Sequence, residues 1–393
     1  MDIASSNFSE VSTIFGGGSN LMLALANITE QYKPSLIGVA TTCLSETIGD
    51  DVGMRIQAYL EHKDKGDVPL IVQVSTPSYC GTHMDGFHRA VYEVVRKIAV
   101  SGLKTDLVTV FPGFLSCADI RHLKEIIADF QLAHAILPDY SDSLDGQIWD
   151  QYHKIPAGGI SVSQISDMGR SKASLELGYT VPPVTASQYL DDAFQVPRIR
   201  LGLPIGINET DQLMTTLKKL SGSPTIPTKY AQERGRLIDA YVDGHKYVFG
   251  KRVIAYGEED LVIGLAAFLA EIGVIPIVCA SGGTSGKLEE SISKVIPELT
   301  GKIVVHEGVD FMDLARLAEE LKPDFLIGNS KGYALSRNLG IPLIRVGFPI
   351  HDRFGGQRLL HVGYRGAQQL FDAITNAVIA RKQDQSQDGY SYL

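Results

Sequence analysis

A thiol, several hydroxyls and three carboxylates crowd one stretch of the chain, Leu36–Asp51, which reads LIGVATTCLSETIGDD. The apolar run predicts a strand that ends in Thr41-Thr42-Cys43. A helix opens at once with Ser45 and Glu46, and Asp50 and Asp51 follow a glycine. A thiol at the carboxyl end of a strand, just ahead of a helix, stands where open α/β sheets bind ligands. The field of a helix start favours the thiolate, the form that ligates iron. The structural alternative is a small residue closing a strand, since free cysteine is among the most buried residue types.

Other segments invite chemical readings. Cys43, Cys80 and Cys117 are spaced 37 residues apart, each shortly after an expected strand. Parallel strands would bring them toward one sheet edge as a shared metal site. No CxxC pair accompanies them, so the chain lacks the usual means of completing a cluster from its own cysteines. Gly282–Lys287, GGTSGK, follows a strand and precedes a helix as a phosphate loop does. Ser281 replaces the first glycine, however, and Leu288 the metal-binding hydroxyl. Gly16-Gly17-Gly18 opens like a dinucleotide fingerprint but has Leu21 in place of the third glycine. Both read as tight turns at helix starts. His83 and His88 flank Asp85 in HMDGFH, a spacing that matches no zinc-helix pattern and reads as polar turn residues. Arg337, Arg345, Arg353, Arg358 and Arg365 suit a salt-bridged face first and a contact with an acidic partner or anionic cluster second.

The elements that must position these groups alternate strand and helix. Strands are expected at Ser35–Thr41, Leu70–Val74, Asp106–Val110 and Leu132–Leu137. Helices are expected at Thr47–Glu61, Gly86–Ala99 and Ala118–Asp129, the last capped by Ser116 with Asp119 in its first turn. From about Asp139 to Pro227 the periodicity weakens. Short helices near Ser163–Met168 and Asp211–Leu220 and a strand near Arg198–Leu203 emerge there from loops. A long helix over Thr228–Phe249 then bridges to a last set of units, with strands at Arg252–Tyr256, Ile275–Ala280, Lys302–Val305, Phe325–Gly328 and Pro342–Val346. The alternation predicts an α/β fold of three Rossmann-like domains, with parallel sheets flanked by helices. The expected domains are residues 1–104, 105–227 (with an irregular linker) and 228–393.

Composition bounds the function. The 393 residues are 44% hydrophobic and 21% charged, with a net charge of −9, which argues against nucleic acid as the main partner. Four cysteines in such a length make no disulfide framework, so a reducing, cytoplasmic compartment is expected. The opening MDIASSNFSE lacks the basic and apolar regions of a signal peptide. The apolar stretch Leu261–Ala280 is broken by Glu271, Gly273 and Pro276 and reads as a buried helix, a stop and a buried strand, not as a membrane span.

These blocks carry a resemblance. DIASSNFSE, IFGG, GVATTCLSETIGDD, VSTPSYCGTH with GFH, PDYSDSLDG, ERGRLIDAYVDGHKYVFGKR, LIGNSKGY, IPLIRVGFPIHDR and LLHVGYRG, in that order, resemble the β-like branch of the nitrogenase component 1 family nearly end to end. Within the branch, PGFLSCADIRHLKEI, LIGNSKGYALSRNLGIP and FPIHDRFGGQR resemble the NifN-type scaffold subunits that mature the iron–molybdenum cofactor. The catalytic β subunits are the close alternative. The resemblance implies a heterotetramer with an α-type, NifE-like partner, an iron–sulfur cluster at the interface, and transient docking of the reductase and of cofactor-precursor carriers. It implies Cys43 and Ser78 as cluster-edge residues, from the family's TTC and TPS motifs. Family members carry a cysteine-bearing segment ahead of the DIASS block, so the resemblance also implies a first domain that is incomplete at its N-terminus. A Rossmann-like nucleotide- or sugar-binding protein without iron is the reading from another class, and the imperfect phosphate motifs count against it.

Overall fold

The computed structural model describes residues 3–7, 10, 13, 16–62 and 68–387. Helix α1 (Gly18–Tyr32) leads into strand β1 (Leu36–Thr41), followed by α2 (Cys43–Ile48), α3 (Val52–Glu61), β2 (Leu70–Ser75) and α4 (His83–Ile98). The strands β1 and β2 pair in parallel from Leu36↔Leu70 to Thr41↔Ser75. One face of this pair is closed by α1 and α3, with Leu25, Ile37, Val52, Ile56, Tyr59 and Ile71 forming the core.

The single helix expected over Thr47–Glu61 is two helices. Gly49 takes a left-handed conformation (φ 76°) that ends α2, and the Asp51 carboxylate accepts the Met54 N–H at 2.8 Å to start α3. The glycine run ahead of α1 wraps a carboxylate of this same loop. Gly17 N–H donates to Asp50 at 2.7 Å, and a side chain at Gly16 (φ +87°) would collide with that carboxylate. The HMDGFH segment is not a turn. Thr82 and Asp85 form a reciprocal capping box, so the helix starts at His83 and both histidines lie on it. Burial pushes the His88 imidazole pKa down to about 4.

The chain continues through β3 (Val108–Phe111), α5 (Cys117–Asp129), β4 (His134–Ile136), α6 (Val162–Asp167), β5 (Ala173–Leu177), α7 (Ala186–Phe194) and β6 (Arg198–Leu201). These four strands form one sheet in the order β4-β3-β5-β6. The cap of α5 is as the sequence indicates: Ser116 Oγ accepts the Asp119 N–H at 2.9 Å and Asp119 accepts the Ser116 N–H at 3.2 Å. Strand β5 and helix α7 stand where loops were expected.

Next come α8 (Gly206–Ser221), α9 (Thr228–Val248), β7 (Arg252–Tyr256), α10 (Glu259–Glu271), β8 (Ile275–Ala280), α11 (Leu288–Val295), β9 (Val304–His306), α12 (Phe311–Leu321), β10 (Phe325–Gly328), α13 (Tyr333–Leu339), β11 (Leu343–Arg345) and α14 (Gly363–Asp384). A five-stranded sheet runs β11-β10-β7-β8-β9, and each neighbouring pair is parallel. Beyond the exposed Arg252 that opens β7, its middle strands are apolar and buried almost throughout, as a sheet covered on both faces requires. The long helix α9 packs along α14. The apolar stretch Leu261–Ala280 is α10, a glycine turn and β8, and among the described residues no helix is long and apolar enough to cross a membrane.

The chain separates into two compact units. One comprises Met1–Thr105, Ala135–Ser174 and Pro182–Arg198, and the other Asp106–His134, Leu175–Val181 and Ile199–Leu393.

Candidate metal-cluster edge

The β1–β2 pair ends at Thr41↔Ser75, and the residues of interest lie just beyond it. Cys43 is the first residue of α2, two positions after Thr41. Ser78 is three positions after Ser75, in a turn that Cys80 N–H closes onto Pro77 O at 3.2 Å. Both residues stand past the carboxyl ends of neighbouring parallel strands, as the sequence suggests. Cys43 is exposed, which overturns the reading of it as a small core residue closing a strand. Ser78, Tyr79 and Cys80 are exposed too, and Tyr79 retains 66% of its accessible surface.

A carboxylate joins the two strand ends. Glu46 Oε1 accepts hydrogen bonds from the Thr41 hydroxyl and, at 2.6 Å, from the Ser75 hydroxyl. The Thr76 hydroxyl adds a 2.8 Å bond to Thr41 O, and Arg89 donates to Ser75 O at 3.2 Å. The Ser75 hydroxyl foremost, then that of Thr41, holds the Glu46 pKa below the usual carboxylate range, and the Arg89 charge adds to this. In the sequence alone, Glu46 reads only as a helix-start residue. The overlooked signal is a set of hydroxyls, Thr41, Ser75 and Thr76, closing both strands and in want of an acceptor.

The donor types fit the edge of an iron–sulfur cluster: an accessible thiol, the soft ligand iron–sulfur chemistry uses, with a hydroxyl on the neighbouring turn. They fit an edge and not a full site. Among the described residues no three His, Cys, Asp or Glu side chains converge as a metal site. Cys117 is buried in the first turn of α5 and Cys279 is buried in β8, so the evenly spaced cysteines do not make a common exposed site.

The remaining motifs resolve into internal structure. The backbone donors of the GGTSGK loop already hold carboxylates: Glu259 accepts the Ser285 N–H at 3.0 Å, and Glu307 accepts those of Gly286 (2.8 Å) and Leu288 (2.9 Å). Lys287 Nζ donates to Val181 O at 2.8 Å. A phosphate would compete with both acids for these groups. Among the C-terminal arginines, Arg345 makes a two-pronged bond to Asp352 (2.8 and 2.6 Å) and Arg365 pairs with Glu233 at 2.9 Å, in keeping with a salt-bridged face.

A family model described as nitrogenase component 1 type oxidoreductase matches residues 1–379. The nitrogenase molybdenum-iron protein beta chain of Clostridium pasteurianum is 36% identical over 382 residues, covering 96% of this chain and 82% of that one. The nitrogenase iron-molybdenum cofactor biosynthesis protein NifN of Bradyrhizobium diazoefficiens is 34% identical over 394 residues, covering 96% of this chain and 79% of that one. A solved chain of nitrogenase Cp1 at pH 6.5 matches the fold with a TM-score of 0.94 at 33% identity, over 99% of this chain and 85% of that one.

Proposed function

Because the chain belongs to the nitrogenase component 1 type oxidoreductase family, we propose that it is a β-type subunit acting as a scaffold in assembly of the iron–molybdenum cofactor. It pairs with an α-type, NifE-like subunit in a heterotetramer. It contributes Cys43 and Ser78 to one edge of an interfacial iron–sulfur cluster, and the reductase and cofactor-precursor carriers dock transiently on the assembly. The cluster, when bound, supplies one-electron chemistry. This chain presents the thiol and hydroxyl and keeps the two strand ends that carry them in register.

The observation that carries the cluster edge is the exposed Cys43 thiol beyond β1, with Ser78 in the turn beyond the neighbouring strand. A soft donor with too few companions in its own chain suits a site completed by another subunit. The scaffold role rests on the three NifN-like segments and on the 34% identity to a NifN protein. A second reading, the β subunit of the molybdenum–iron protein, is favoured by the 36% identity to such a chain.

Co-expression with an α-type partner tests both. Light scattering should show a heterotetramer that forms only with the partner, and a stable monomer indifferent to the partner would refute the assembly. Cys43→Ala should lower iron content or change the electron paramagnetic resonance signal. Unchanged iron and spectra would remove Cys43 from the cluster. The complex with a NifE-like partner should reduce no acetylene beyond trace levels, and turnover like that of a catalytic component would favour the β-subunit reading.

A further inference from the structure

The ladder between β1 and β2 stops at Thr41↔Ser75, and beyond this pair the two segments that carry Cys43 and Ser78 leave the sheet. The joint is closed by one oxygen atom. Glu46 Oε1 accepts the hydroxyls of both members of that last pair, Thr41 from β1 and Ser75 from β2. The carboxylate is held firmly in its turn. Glu46 N–H donates to Thr42 O at 3.1 Å, and Ser45 and Thr42 close the cap at the start of α2. Cys43 lies between Thr42 and Glu46 in this same turn. The position of the thiol and the position of the carboxylate are therefore set together, and the carboxylate reaches across to the strand that leads into the Ser78 turn.

We propose that Glu46 is a positioning residue: by gripping Thr41 and Ser75 at once, it fixes the Cys43 turn against the Ser78 turn so that both address one ligand. Thr76, bonded to Thr41 O, backs the same joint from the β2 side. Glu46 itself touches no ligand in this scheme and acts through the two strand ends. The geometric part stands on the hydrogen bonds alone, and its meaning for a cluster rests on the reading of Cys43 given above.

Two measurements keep those parts separate. The first uses the full chain without iron. Nitroxide labels are placed on Cys43 and on Ser78→Cys in a Cys80→Ala background, and the distance distribution is read by pulsed and continuous-wave electron paramagnetic resonance. The distribution should be narrow with Glu46, should stay narrow in Glu46→Gln, whose amide oxygen still accepts both hydroxyls, and should broaden in Glu46→Ala. An unchanged narrow distribution in Glu46→Ala overturns the proposal. If that variant does not fold, Ser75→Ala removes one of the two hydroxyls while keeping the carboxylate, and must broaden the distribution in its place.

The second measurement uses the complex with the α-type partner, comparing iron content and the cluster's spectrum. Glu46→Ala should lower iron retention severalfold and alter the line shape, and Glu46→Gln should restore both. Broadened distances with wild-type iron and spectrum would show Glu46 to be a structural tie without a positioning role. If Cys43→Ala is silent in the same assay, it is the cluster-edge reading that falls, whatever the distances show.

Discussion

Replacing Asp119 with alanine should open a buried joint near the C-terminal helix. The carboxylate is 1% exposed, and His361, beside it, is 6% exposed. Asp119 Oδ1 accepts the N–H groups of His361 (2.6 Å) and Val362 (3.1 Å), while Oδ2 accepts from His361 Nδ1 (3.0 Å) and Ser116 N–H (3.2 Å). Burial opposes ionisation, but the His361 imidazole and these N–H groups prevail and hold the pKa below the usual range. Alanine leaves three buried backbone donors and a ring nitrogen without their acceptor. Leaving a buried donor without its acceptor costs about 1–3 kcal/mol, so stranding this group together costs roughly 3–5 kcal/mol after partial relaxation. One decade is about 1.36 kcal/mol, so amide exchange at His361 and Val362 should speed up by roughly 10²- to 10⁴-fold. Hydrogen-exchange mass spectrometry over the peptide spanning Leu359–Gly363 measures this directly. Asp119→Asn keeps one acceptor oxygen and should show a smaller increase. Because the folded pKa is depressed, the protection should persist from neutral pH down to the ordinary carboxylate range, about pH 4, and fade below it. Wild-type exchange in Asp119→Ala would refute the reasoning.

Other outcomes follow from the same structure. In the native chain a thiol reagent should modify Cys43 and Cys80 and spare Cys117 and Cys279, the last having its pKa pushed up to about 12 by burial; rapid labelling of Cys279 would contradict its place in β8. His88 has a folded pKa of about 4, below the ordinary value, so the unfolded chain takes up its proton first. Stability should therefore be flat above about pH 6.5 and fall by about 3 kcal/mol between there and pH 4, and His88→Gln should flatten that part of the urea-midpoint profile. Magnesium ATP should not raise the melting temperature through the GGTSGK loop, whose donors Glu259 and Glu307 occupy; stabilisation lost on Lys287→Ala would show that the loop binds phosphate after all.

What the sequence revealed depended on how local the causes were. The cap of α5 was readable because Ser116 and Asp119 bond each other within one turn. The five-stranded sheet was readable because its strands are apolar runs between helices. Strand β5 was missed because its Glu176, fully charged in type, is buried at 2% exposure and bonded to Arg200 from the neighbouring strand at 3.4 Å. A charge that finds its partner 24 residues away breaks the apolar pattern without warning. The break between α2 and α3 was missed for the opposite reason: Gly49 and Asp51 carry it locally, but the flanking apolar residues suggest one continuous helix. At the candidate site, Cys43 and Ser78 came from motif and position, and both lie where expected. Glu46 did not, because its second partner, Ser75, is 29 residues distant and adjacent only once β1 and β2 pair.

The exposure of Cys43 and Cys80 also imposes an order of events. A thiol open to solvent is open to peroxide and oxygen, and its first oxidation steps are reversible while the later ones are not. If another subunit covers this surface, as proposed above, the part left open for it is also the part most exposed to oxidation, while Cys117 and Cys279 are buried. On that reading the free subunit has a chemical lifetime as well as a folding stability, and encounter with its partner has to come within that lifetime.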